Sequence, residues 1–305
     1  MAGYILKRVA FAILTIFLVS SITFGLMHLV PGGPFLSEKA VSQEQKDALN
    51  EKYGLDEPTI VQYKNYMLKL AQGDLGVSLK KRGRSVNEII STGFPVSMKV
   101  GTLAVLLALL IGVPLGSLAA LKRGKWVDNT IIVVGTLGIA IPSFVLATVL
   151  MYYFGVVIPI FPTFGLDTPM HLILPVISLA FYPTAYISRL MRSSMLDVLG
   201  QDYMVTARAK GLSQFKSLFK HALRNAIIPV ITYVGPLFAS IITGSFVIEK
   251  IFTIPGLGKE FILSITGRDY PLIMGTTIFL SMLIIVMNVL VDIAYKIVDP
   301  RIKLK

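Results

Sequence analysis

The chain reads as an all-α, polytopic membrane protein with six transmembrane helices, on three observations. Hydrophobic residues fill 54% of its 305 positions, and mean hydropathy is +0.73, too apolar for a soluble domain of this size. Most of these residues fall into runs of about 20 or more, the length an α-helix needs to cross the ~30 Å hydrocarbon core of a bilayer. Lysine and arginine gather in some breaks between the runs and are missing from others, the asymmetry that orients membrane helices.

The composition also closes several classes of chemistry. There is no cysteine, which excludes disulfides, thiolate metal sites and cysteine nucleophiles. A net charge of +12 could point to nucleic acid, but the basic residues sit in loops between apolar runs, where they act as orientation signals. Lys7-Arg8 followed by an apolar run resembles a signal peptide. The run from Val9 to Val30 exceeds the ~7–15 residues of a signal core and has no small-residue cleavage site, so it reads as an uncleaved first span.

Taken in order, residues 1–30 hold the N-terminal end and span one, about Val9–Val30, closed by Pro31-Gly32-Gly33-Pro34. His28 lies near its end and is assigned no role. Residues 31–95 form a polar segment, read as a small extracellular helical insertion. Ser42 and Gln45 have capping-box spacing, Gly54 can end that helix, and Pro58 can start another with Ile60, Tyr63, Met67 and Leu70 as one stripe. The segment fits a solvated cap or a docking surface for an extracellular partner.

Residues 96–296 carry the remaining spans. Span two, about Val96–Leu121, is followed by Lys122-Arg123-Gly124-Lys125. Span three, about Asn129–Val157, contains Ile141-Pro142-Ser143-Phe144, where proline removes a backbone hydrogen bond and kinks the helix. The loop Ile158–His171 has no lysine or arginine. Span four, about Leu172–Met191, ends near Arg189 and Arg192, read as snorkelling side chains. Span five is about Ala226–Ile248 and span six about Leu272–Lys296, followed by a basic tail, 297–305. Lys7, Arg8, the Lys122 cluster, the run up to Arg224 and the tail all fall on one side. The positive-inside rule makes that side the cytoplasm, with both termini in it.

The polar stretch at 193–225 is the strongest functional signal. Asp202 can cap a short helix, Arg208 and Lys210 suit its C-terminal end, and Gly211 can take the left-handed turn that stops it. From Gln214 a second, amphipathic helix is predicted, with Lys216, Lys220 and Arg224 on its basic face. This pattern fits a rigid unit that transmits motion from a bound partner, or an amphipathic loop lying on anionic membrane lipid.

Catalytic motifs are missing. Gly258-Lys259 is followed by glutamate and lacks the upstream glycine of a phosphate-binding loop, and no HExxH or GxSxG pattern occurs. The span centres carry no Asp, Glu, Lys or Arg, so the ionisable relay of a proton-coupled carrier is not visible. No enzyme activity, cofactor or metal is expected.

Asp202-Tyr203, Thr206-Ala207-Arg208-Ala209-Lys210-Gly211-Leu212, then His221-Ala222-Leu223-Arg224-Asn225-Ala226 and Pro229, closely resemble the "EAA" loop of ABC-importer permease subunits in its peptide-transporter form. Thr206-Ala207-Arg208 stands in place of Glu-Ala-Ala, with Gly211 as the glycine that follows. The resemblance extends to Pro31–Pro34, Tyr53-Gly54-Leu55-Asp56, Phe252-Thr253-Ile254-Pro255-Gly256-Leu257-Gly258 and Asp269-Tyr270-Pro271, and so covers essentially the whole chain.

That resemblance implies a type I ABC permease fold in a bacterial cell membrane. It implies half of a translocation pore, completed by a homologous second permease subunit, two ATP-binding cassette ATPase subunits and an extracellular substrate-binding lipoprotein. Asp202, Tyr203, Thr206, Ala207, Arg208, Lys210 and Gly211 would contact the ATPase. Phe252, Pro255, Gly256 and Gly258 would form a contact loop for the binding protein. The cargo implied is oligopeptide; dipeptides, nickel or haem through the same architecture remain alternatives, and a stand-alone channel or secondary carrier is the rival of a different class.

Overall fold

A computed structural model of the chain describes residues 2–29, 43–81, 83–211 and 222–298, some of them by backbone alone. The readings made on Pro31–Pro34, on Ser42, on the helix from Gln214 and on the basic tail lie outside these residues. Apart from one isolated bridge between Val77 and Ser85, the regular structure among the described residues is helical.

Helices α1 (Ala2–Leu29), α2 (Gln43–Tyr53) and α3 (Thr59–Ala71) come first. Gly54 ends α2 in the left-handed region, φ +66°, where its lack of a Cβ makes the turn inexpensive. The N–H of Leu55 then reaches back to the Asn50 carbonyl at 2.8 Å. Pro58 precedes α3 with φ −52°, the value its ring imposes. The predicted stripe on α3 holds only in part. Tyr63 shares a 2.7 Å hydrogen bond with Ser21 of α1, and Met67 meets Ser20, but Ile60 in the first turn is 73% exposed.

Helix α4 (Val86–Leu121) is 36 residues long, ten residues longer at its start than the predicted span. At 1.5 Å per residue it reaches about 54 Å, well beyond the hydrocarbon core. Where a single kinked span was expected, the chain instead forms α5 (Trp126–Ala140) and α6 (Ser143–Met151), which continues through a π-helical stretch to Val157. The two halves meet at 98°, because Ile141 and Pro142 are both extended and proline offers no N–H to carry the helix through.

Helix α7 (Ile173–Leu199) outlasts its predicted span by about two turns and is followed by α8 (Asp202–Ala209). Span five is built from α9 (Leu223–Ala226), α10 (Ile228–Gly244) and α11 (Phe246–Ile251). Helices α12 (Leu257–Gly267) and α13 (Tyr270–Val298) complete the order. Among the described residues, five helical stretches are long and apolar enough to cross a membrane, or six when α5 and α6 count as one broken span.

The chain divides into two compact units. The first draws on residues up to Val96 and on Gly256–Ile285. Its organising group is the buried Asp269 carboxylate. This group accepts the Ser78 hydroxyl, the Leu79 N–H at 3.1 Å and, at 3.4 Å each, the N–H groups of Lys80 and Leu272. One side chain therefore caps α13 and pins the 78–80 segment. Lys81 pairs with Glu260 of α12.

The second unit draws on Ser97–Pro255 and on residues from Val286 onward. It is arranged around α7, which α4 and α5 approach through glycines. A Cβ at Gly116 would lie 2.3 Å from the Ser188 carbonyl oxygen, and one at Gly112 would lie 3.0 Å from that of Thr184. Gly138 of α5 meets the Ala185 methyl, with 2.9 Å available to a Cβ. In lipid, where apolar surface is solvated by acyl chains, such close backbone packing replaces the hydrophobic effect as the main cohesive force between helices. Asp128 of α5 is buried and holds Arg192 of α7 through Nε at 2.5 Å and Nη2 at 2.8 Å. Arg192 is thus half of an interhelical ion pair rather than a snorkelling side chain.

Candidate functional site

The short helix expected in the polar stretch is present as α8. Asp202 is its first helical residue rather than the residue before it, so its carboxylate lies in the first turn, where it favours the positive end of the helix dipole. The elbow into α8 is short. Gly200 and Gln201 separate it from α7, with the Gly200 N–H on the Leu196 carbonyl at 3.2 Å and the Met204 N–H on that of Gln201 at 3.0 Å.

Met204 is fully buried and anchors one side of α8, whereas Tyr203 is 42% exposed. The Tyr203 hydroxyl accepts a 2.9 Å hydrogen bond from Asn225 Nδ2, which fastens the start of α8 to the segment that returns into the membrane. Thr206 is exposed, and its hydroxyl bonds back to the Asp202 carbonyl at 3.1 Å. Lys210 is exposed, its N–H on the Thr206 carbonyl at 3.0 Å. Gly211 takes φ +79°, the left-handed stop its position demanded. Ala207 and Arg208 belong to the helix, but their side chains lie outside the described residues. The result is an exposed two-turn helix, joined to α7 at one end and stopped by a glycine at the other.

The second predicted group is divided by burial. Phe252, Gly256 and Gly258 are buried, while Thr253 and Pro255 are exposed. Thr253 adopts φ +53°, an uncommon conformation for a β-branched residue. The Phe252 carbonyl accepts the Gly165 N–H at 3.0 Å. His28, to which no role was given, stacks on Phe24 with ring centroids 4.1 Å apart and lies 3.2 Å from the Gln62 side chain.

Sequence reasoning missed two contributors to this geometry. The Tyr203–Asn225 bond joins residues across a polar stretch whose ends had no visible reason to meet. The Asp128–Arg192 pair fixes α7, the helix that carries α8, and its members are 64 positions apart. No group of acidic, histidine or cysteine side chains suited to a metal ion occurs among the described residues.

Residues 112–304 match the profile of the binding-protein-dependent transport system inner membrane component, and residues 1–100 match that of the N-terminal part of such membrane components. The chain belongs to this family. It is a multi-pass inner-membrane component of a binding-protein-dependent transport system, a non-catalytic part of the transporter. The dipeptide transport system permease protein DppB of Bacillus subtilis is 49% identical over 100% of this chain and 99% of its own length. The oligopeptide transport system permease protein OppB of Haemophilus influenzae is 44% identical over 99% of this chain and 100% of its own. Among solved structures, the inward-facing MetNI methionine ABC transporter aligns with TM-score 0.58 at 16% identity. That alignment covers 69% of this chain and 96% of the other. The shared fold is the ABC permease fold.

Proposed function

We propose that this chain is a pore-forming permease subunit of an ATP-driven importer of oligopeptides, pairing with a homologous second permease. Full-length similarity to dipeptide and oligopeptide permeases carries the peptide reading. A dipeptide cargo is the second reading, favoured by the 49% identity to a dipeptide permease.

In this account the transporter carries two ATPase subunits and α8 is this chain's contact with them, with the 193–225 stretch and both termini in the cytoplasm. Closure of the ATPases on nucleotide moves α8 as a rigid body, and its short elbow passes the motion to α7. Tyr203, Thr206, Ala207, Arg208 and Lys210 form or support the contact, Asp202 orients the first turn, and Gly211 supplies the stop. Residues 31–95, as an extracellular insertion, and the loop around Phe252–Gly258 meet the substrate-binding lipoprotein. Thr253 and Pro255 offer that loop's exposed surface, while Phe252, Gly256 and Gly258 shape it from within.

Two measurements test the assignment. A lone cysteine introduced by Ala207→Cys is expected to cross-link to a cysteine on a co-expressed ATPase subunit; consistent failure to cross-link would remove the coupling role. Uptake of labelled peptides of graded length, in cells with and without the chain and with ATP depletion as control, is expected to show loss over one length range. That range separates oligopeptide from dipeptide import. Unchanged uptake at every length, in cells without a parallel peptide importer, would exclude peptides and leave nickel or haem.

A further inference from the structure

The break between α5 and α6 borders a cavity of about 600 Å³ within the second unit. Three observations bear on what enters it. First, Ile141 and Pro142 are extended at this point, so carbonyls at the end of α5 and N–H groups at the start of α6 lack helical partners. Non-helical backbone at membrane depth is stable only where protein buries it or water reaches it.

Second, Tyr182 and Tyr233 line the cavity as the outer rungs of a ladder. The rings of Tyr182 and Tyr186 are 6.4 Å apart and inclined by 26°, and those of Tyr186 and Tyr233 are 4.3 Å apart and inclined by 29°. Tyr182 is 40% exposed and Tyr186 37%. A phenol turned toward hydrocarbon without a partner is costly, so the exposure of Tyr182 on the cavity wall argues for an aqueous or peptide-filled neighbour. Third, no lining residue carries a charge, and Ser143 and Ser240 add hydroxyls to the wall.

We propose that this cavity is a station on the translocation path that holds an extended peptide, a step that rests on the peptide reading above. Tyrosine faces stack on peptide planes and apolar side chains, while hydroxyls and the backbone groups freed at the break exchange hydrogen bonds with peptide amides. An uncharged wall suits a cargo of varied sequence, because a fixed charge would reject side chains of like sign.

The chain lacks cysteine, so Tyr182→Cys and Ser143→Cys can each be probed in the complete transporter with a membrane-impermeant maleimide. Right-side-out and inside-out vesicles would both be used, with and without saturating tetra-alanine. Both cysteines are expected to react from at least one side, and transported peptide is expected to slow labelling by about three- to tenfold. Ser143→Cys removes no ring and carries the test if Tyr182→Cys does not accumulate.

Failure to react from either side would mean that lipid or the second permease covers the cavity, and would overturn the proposal. Unchanged labelling during active uptake would overturn it equally. Tetra-alanine uptake by the cysteine-free parent separates the two ideas. A parent that takes up the peptide, with cysteines that stay unprotected, sinks the station alone; a parent that takes up no peptide of any length sinks the peptide reading with it.

Discussion

Asp128 is 1% exposed, and both of its oxygens are engaged. Its oxygens take Arg192 Nε and Nη2 and the Gly124 N–H at 2.9 Å. Removing the guanidinium strands a buried carboxylate, which costs more than the pair contributes. Arg192→Ala is therefore expected to lower unfolding free energy by about 3–5 kcal/mol, read as a fall in Tm of the detergent-solubilised complex. The double variant Asp128→Asn, Arg192→Gln should recover part of the loss, because no charge is left unpaired. Nothing near Arg192 in sequence marked this pair; an arginine at a span end reads locally as snorkelling, and its partner arrives only through packing of α5 on α7. Tyr66 is the opposite case. Its buried hydroxyl has no hydrogen-bond partner among the described residues, and burial pushes its phenol above the usual range. Tyr66→Phe is expected to stabilise the protein by about 1 kcal/mol, since it deletes an unsatisfied polar group and leaves the ring in place.

Elements whose determinants are local were legible in the chain. The apolar runs, Gly54 at the end of α2, and α8 with Gly211 after it each follow from hydropathy or from one residue's backbone preference. What local rules missed was continuity. Ten extra residues at the start of α4 and two extra turns on α7 depend on what each helix packs on, and the 98° break at Pro142 was not told from a kink because a proline in an apolar run signals both. The spacing Gly112-x-x-x-Gly116 was a usable sign, because small residues four apart let two backbones approach. Here they face Thr184, Ile187, Ser188 and Met191 of α7. A methyl at 116 would overlap the Ser188 carbonyl, so α4 must move away from α7. Gly116→Ala is expected to cost about 1–3 kcal/mol and to reduce accumulation in the membrane. Gly25→Ala, with nothing within 4 Å of the added carbon, should leave accumulation unchanged.

For the whole molecule, the bent pair α5–α6 decides the parity of the topology. Counted as one broken span it gives six crossings; counted as a re-entrant loop it leaves five. With six crossings the Lys122–Lys125 turn and the loop after Val157 lie on opposite sides, and the termini share a side. With five, the turn and the loop share a side and the termini separate. Charge favours six, since Lys122, Arg123 and Lys125 occupy the turn while 158–171 has neither lysine nor arginine, the contrast that holds a turn in the cytoplasm and lets a loop cross. Single cysteines at Lys125 and Asp167 of the cysteine-free chain test this directly. An impermeant maleimide added to intact cells is expected to label Asp167→Cys at once and Lys125→Cys only after permeabilisation. Labelling of both from the same side would make the pair re-entrant. It would place the N-terminus opposite the C-terminal tail, and α8 could then meet a cytoplasmic ATPase only if the first span were inverted.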